Sequence, residues 1–195
     1  MRFFAIALVP GGNILAQLSD IKRRSRSTAG FPGQALPMEA LSSRDHAPGQ
    51  ALPEGIYIGF FQLAERRRKK ELIRIFEREG QDLFSGLPGR FRFGAERRIE
   101  NRLYLAPLEG LPKDPMENAR RFARAAGLRE LANTPILPGI GFFMGNDVTL
   151  SPADAFSFSN VEVLLLELHS PNARWESAAW RVLTRQARRR GSIGD

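Results

Sequence analysis

The chain has 195 residues and no cysteine. Disulfides and thiolate metal sites are therefore excluded, and a cytoplasmic location is expected. Histidine is nearly as scarce, with only two, His46 and His169. Neither belongs to a His/Asp/Glu group with metal-ligand spacing, and no glycine pair has dinucleotide-fold or Walker context, so no metal or cofactor is expected. Long apolar runs are also missing. The opening MRFFAIALVP carries about seven apolar residues before a Pro-Gly-Gly turn, against about 20 needed to cross a bilayer. It lacks a signal-like cleavage pattern and reads as a first strand. No later stretch reaches about 18 apolar residues, so no membrane span is expected. At 43% hydrophobic and 26% charged the composition is that of a globular domain, and the length suits one domain or two small lobes.

Positive charge is plentiful. The formal net charge is +8 and the pI about 10.9. The cations concentrate in the run Arg66-Arg67-Arg68-Lys69-Lys70 and in the tail Arg185, Arg188, Arg189, Arg190. A basic surface raises the local concentration of anions, which makes RNA, nucleotides or anionic lipid candidate partners. A solvated face without a partner accounts for such runs equally well.

Periodicity predicts alternating strands and helices. Residues 2–9 form a strand. Asn13 then caps a helix with Ile14, Leu15, Leu18 and Ile21 on one face. Residues 25–53 form a Pro/Gly-rich loop insertion carrying the direct repeat PGQALP at 32–37 and 48–53, a local duplication of the kind loops tolerate cheaply. A strand at 54–63 follows, then a helix at 65–79 whose buried stripe is Leu72, Ile73 and Phe76. Short strands are expected at 90–93 and 101–106, joined by a turn containing Glu96-Arg97-Arg98. Asp114, Pro115 and Glu117 mark a helix start. That helix has Met116, Ala119, Phe122, Ala123 and Ala126 inward and Gly127 at its end. Strands at 136–143, 156–168 and 178–186, with a short helix from Ser151 to Asp154, complete an α/β chain of two similar halves.

Each half carries one copy of I-G-F-F, at 58–61 in PEGIYIGFFQL and at 140–143 in LPGIGFFM. With MRFFAIALVP, RLYLAPLEGL and VEVLLLELHSPNARWESAAWRVL, these strands resemble the two-histidine (LigT-like) phosphoesterases. That superfamily includes the RNA 2′,3′-cyclic phosphodiesterases, or 2′-5′ RNA ligases, and the resemblance runs over nearly the whole chain. It implies a single bilobal domain over 1–195, with two pseudo-symmetric α/β lobes of mainly antiparallel sheet around a central groove. Each lobe of the family contributes a His-x-Thr/Ser motif strand. Side chains two apart on a strand share a face, so histidine and hydroxyl both enter the groove. There the two histidines act as general base and acid on a phosphodiester.

Placed on that motif, this sequence departs in both lobes. Tyr57 and Gly59 occupy the first histidine and hydroxyl positions, and Gly139 and Gly141 the second. Alternation puts Ile58, Phe60, Ile140 and Phe142 on the core face, and Phe61 and Phe143 on the groove face beyond the glycines. The expected ligand-binding set is therefore Tyr57, Gly59, Phe61, Gly139, Gly141 and Phe143, an apolar site suited to stacking a base unless the phenylalanines fill it.

Without the histidines, the resemblance implies a protein that binds RNA or nucleotide phosphate without the family's catalysis. One alternative is a phosphodiesterase using Tyr57 or His169, although an unshifted phenol with a pKa of about 10 is a poor base at neutral pH. The other is a structural or partner-binding module. His46 lies in the loop insertion and His169 at a strand end, off both motif strands.

Overall fold

In a computed structural model of the chain, the described residues are 3–10, 20, 55–63, 69–87, 90–99, 102–107, 113–131, 142–145, 156–158, 161–169 and 179–188. Nine strands are described among them: β1 (Phe3–Pro10), β2 (Ile56–Leu63), β3 (Phe91–Ile99), β4 (Arg102–Pro107), β5 (Leu128–Glu130), β6 (Phe142–Gly145), β7 (Phe156–Phe158), β8 (Val161–His169) and β9 (Ala179–Ala187). Helix α1 (Lys69–Glu79) runs into a 3-10 turn (Gly80–Phe84), and α2 is Lys113–Ala125. Of the expected first helix only Asp20 is described, and it is helical; the loop 25–53 and the short helix at 151–154 lie outside the described residues.

Two antiparallel sheets result, ordered β5-β2-β1-β8-β9 and β6-β4-β3-β7. In the larger sheet β1 is central, and every one of its residues is buried. Strands covered on both faces read as continuous apolar runs, which is why FFAIALV shows no polar alternation. Phe4, Ile6 and Leu8 join the core beneath α1 and α2, while Phe3, Ala5, Ala7 and Val9 join a second apolar cluster on the opposite face. Phe91, Phe93 and Leu105 of the smaller sheet belong to the helix-side core.

Three expectations are corrected. Strand β3 continues through Glu96, Arg97 and Arg98, which pair with Leu105, Tyr104 and Leu103 of β4; backbone pairing overrides the charged composition that suggested a turn. The strand expected at 156–168 is two strands, β7 pairing with β3 and β8 with β1, so the chain passes from one sheet to the other between them. In α1 the buried residues are Leu72, Ile75 and Phe76, with Ile73 only half-buried. The three-residue β5 had no signal of its own; it is a short edge strand on β2.

The helices are fastened at their ends. Gly127, at φ 66°, follows α2 in the left-handed conformation that favours glycine, and its N–H donates to the Arg124 carbonyl at 3.1 Å. At the end of α1 the carbonyls of Phe76 and Glu77 accept from the side-chain amide of Gln186 on β9, at 2.7 and 2.9 Å. The Gln186 carbonyl oxygen in turn accepts from Gln81 at 2.8 Å. The last carbonyls of a helix have no partner within it, so one strand side chain satisfies two of them. Gln186→Ala is expected to cost about 1–3 kcal/mol. The check is a lower urea midpoint with unchanged slope; a midpoint equal to the parent's would show that solvent replaces the clamp at no cost.

Candidate functional site

The first motif strand is β2, and its register decides what it can present. Tyr57 lies opposite Ala7 and Gly59 opposite Ile6. Those two β1 residues are adjacent, so Ile58 is an extra residue, a β-bulge. Ile58 and Gly59 therefore both face the helix side: Ile58 belongs to that core, and Gly59 pairs with Ile6, which also does. Beyond the bulge the alternation is inverted. Phe60 falls on the face of Tyr57, and Phe61 falls on the helix side.

This corrects the expected face assignment. Tyr57, Gly59 and Phe61 do not share a face, and Phe60 is not on the core face beneath the helices. Phe61 is fully buried in the helix-side core, and its ring covers Gly59. A Cβ at position 59 would lie 2.3 Å from Phe61 Cζ and 2.5 Å from Cε2. The glycine is needed for close approach, but what approaches is the chain's own phenyl ring rather than a ligand.

On the other face Tyr57 stacks on Phe60, with ring centroids 5.3 Å apart and planes 14° from parallel. They are 3% and 1% exposed and cluster with Leu164, Leu166, Leu168 and Trp180. A phenol there is a packed wall residue without access to solvent.

His169 is not brought to Tyr57. It ends β8 opposite Ala179, whereas Tyr57 is level with Leu164 through Ala7. Five residues along a strand is about 17 Å. Phe143 is in β6, paired with Tyr104 in the smaller sheet. Gly139, Gly141 and His46 lie outside the described residues. Among the described residues, no three His, Asp or Glu side chains are grouped to hold a metal, and no helix is long and apolar enough to cross a membrane.

Sequence reasoning missed Glu167, the one buried charged residue among those described. It lies on the helix-side face of β8, opposite Phe4. Its Oε2 accepts from Lys69 Nζ at 3.1 Å and from Arg181 Nη2 at 2.6 Å. Burial alone would raise its pKa. The hydrogen bonds from Arg181 and Lys69, together with their charges, outweigh burial and hold the carboxyl below its ordinary value. The available signal was a lone acid within the apolar run VLLLELH.

This fold is shared with solved structures. The crystal structure of E. coli LigT complexed with NADP+ matches over 96% of each chain at a TM-score of 0.50 and 17% identity. A crystal structure of a phosphoesterase matches over 96% of this chain and 99% of its own, at 0.48 and 12%. E. coli LigT complexed with 3′-AMP matches over 96% and 98%, at 0.45 and 15%. No protein-family model and no curated protein matches the chain. The chain thus has the LigT-like fold, and at this level of identity the likeness is one of fold.

Proposed function

We propose that the chain, as a single bilobal LigT-like unit, binds RNA or nucleotide phosphate without catalysing phosphodiester hydrolysis. The observation that carries the non-catalytic part is the state of Tyr57. Where the motif resemblance places a general acid or base, this phenol is 3% exposed and stacked in an apolar cluster. A positioned acid or base contributes on the order of 10² to 10⁴ in rate. A phenol sealed from solvent in an apolar cluster cannot come within hydrogen-bond reach of a substrate, as a general acid or base must. The binding part is supported by the net charge of +8 and by the likeness in fold to a LigT crystallised with NADP+.

The test is a single-turnover reaction with protein in excess over an end-labelled oligoribonucleotide bearing a 2′,3′-cyclic phosphate, alongside equilibrium binding of the same RNA. The expected result is binding that weakens steeply with salt while the cyclic end stays closed for hours. Opening of the ring that Tyr57→Phe abolishes would overturn the non-catalytic reading.

A further inference from the structure

Helix α1, which carries Lys69 and Lys70 of one basic run, and β9, which carries Arg185 of the other, are more than a hundred residues apart in sequence and neighbours in the fold. Residues 65–79 contain seven lysines and arginines against four glutamates, and residues 179–190 contain five arginines and no acid. Their combined excess equals the whole net charge of +8, so the rest of the chain is balanced. Helix α1 lies along β9, the outer strand of the five-stranded sheet. It is pinned there at both ends. At its start Lys69 and Arg181 share Glu167, and near its end Gln186 holds the carbonyls of Phe76 and Glu77. Lys69 and Lys70 therefore stand at one end of α1, and Arg188, just past β9, near the other. The helix between them has 11 residues, about 16 Å.

On the outer surface of α1, Lys70 and Arg74 are exposed and make no hydrogen bond or ion pair among the described residues. They are one helical turn apart on the same face. Arg78, the next in this row, pairs with Glu79 at 2.6 Å. Glu71 and Glu77 are the exposed acids of the helix. Glu167 is buried beneath it and already holds two cations.

We infer that this α1–β9 edge is a track for the phosphodiester backbone of single-stranded RNA, separate from the Tyr57 strand. The inference rests on the RNA-binding reading above and adds where the phosphates are held. An anionic membrane is the other polyanion a basic surface attracts. A helix lying on a membrane needs an exposed apolar face, whereas Leu72, Ile75 and Phe76 of α1 are turned into the core. Among the described residues of α1 only Ile73 is an apolar side chain left half-buried, too little for a membrane-facing stripe, and the row of cations beside it suits a phosphate chain.

The experiment is fluorescence anisotropy of a labelled single-stranded oligoribonucleotide ending in a 3′-hydroxyl, titrated with the full chain at several salt concentrations. Lys70→Gln with Arg74→Gln is compared with Lys113→Gln and Arg124→Gln on α2. The latter are two exposed cations likewise without a partner among the described residues. Each phosphate contact on a single strand contributes about 0.7 to the slope of log affinity against log salt. The α1 pair is expected to lower that slope by about 1.4, so that the affinity lost between about 50 and 200 mM salt shrinks roughly sevenfold. The α2 pair should leave the slope unchanged.

If the parent binds RNA and the α1 pair has no effect, or no more effect than the α2 pair, the track is overturned and RNA binding stands. If the parent does not bind RNA at all, both readings fall. Capture by phosphatidylserine vesicles that RNA does not displace would likewise overturn the track, in favour of a membrane surface.

Discussion

Rebuilding the histidine motif on β2 by Tyr57→His with Gly59→Thr is expected to give a less stable protein and no cyclic phosphodiesterase. On a regular strand the two new side chains would share a face and re-create one half of a catalytic pair. The bulge at Ile58 prevents it. Position 59 pairs with Ile6 and looks into the helix-side core, where an added Cβ would stand 2.3 Å from the Phe61 ring. Phe61 is fully buried, so the ring has nowhere to swing without displacing its neighbours. Overpacking of this kind costs about 1–3 kcal/mol, and a threonine hydroxyl buried without a partner adds about 1–3 kcal/mol. Gly59→Thr alone should therefore lose roughly 2–6 kcal/mol, a large part of the roughly 5–15 kcal/mol typical of a domain. Urea unfolding of the single variant isolates this effect, and single-turnover assay of the double variant checks the chemistry. A Gly59→Thr protein as stable as the parent would mean that the strand runs without the bulge and that the two positions do share a face.

That bulge marks the boundary of what could be read in the sequence. The strands and helices were legible wherever apolar residues recur at a regular period or form a short unbroken run. MRFFAIALVP gave β1, and Pro115 to Gly127 gave α2 with its closing glycine. The LigT-like fold was legible in the resemblance of several strands taken together. The facing of individual side chains beyond Ile58 was not, because a single extra residue inverts every later position. The trace it left was Gly59 itself, since a glycine inside a strand signals either a bulge or a close approach; here it signals both. Glu96-Arg97-Arg98 misled for a related reason. Charged residues are read as turns, but strand β3 is defined by backbone partners on β4 that no local pattern reveals. That α1 lies beside β9 depends on the position of β9 at the sheet edge, which is a property of topology.

The second large effect is expected at Glu167. Its carboxylate is 3% exposed at the side chain, while its partners Lys69 and Arg181 are 27% and 33% exposed. Removing one member of a buried ion pair typically costs 3–5 kcal/mol. Because both cations here keep partial access to water, which screens them, Glu167→Gln is expected to cost about 2–3 kcal/mol at neutral pH. Glutamine keeps the shape and one acceptor but leaves two cations facing each other without an anion between them.

The variant also predicts the pH dependence, since it imitates the protonated acid. In the folded protein the carboxyl is held below its ordinary value, whereas in the unfolded chain it titrates near about 4.3. A depressed folded pKa contributes stability that is fully present above the unfolded value and is lost as pH falls through the folded one. The parent should therefore exceed Glu167→Gln by its full margin at pH 6–7, and the margin should narrow below about pH 4 as the parent's own carboxyl takes up its proton. Urea unfolding of both proteins from neutral to acid pH reads this directly. A gap of constant size down to pH 2–3 would show that Glu167 stabilises by shape and packing, not by its charge. In that case Lys69 and Arg181 would not be what fixes the start of α1 to β9, and the placing of α1 along β9 would need another cause.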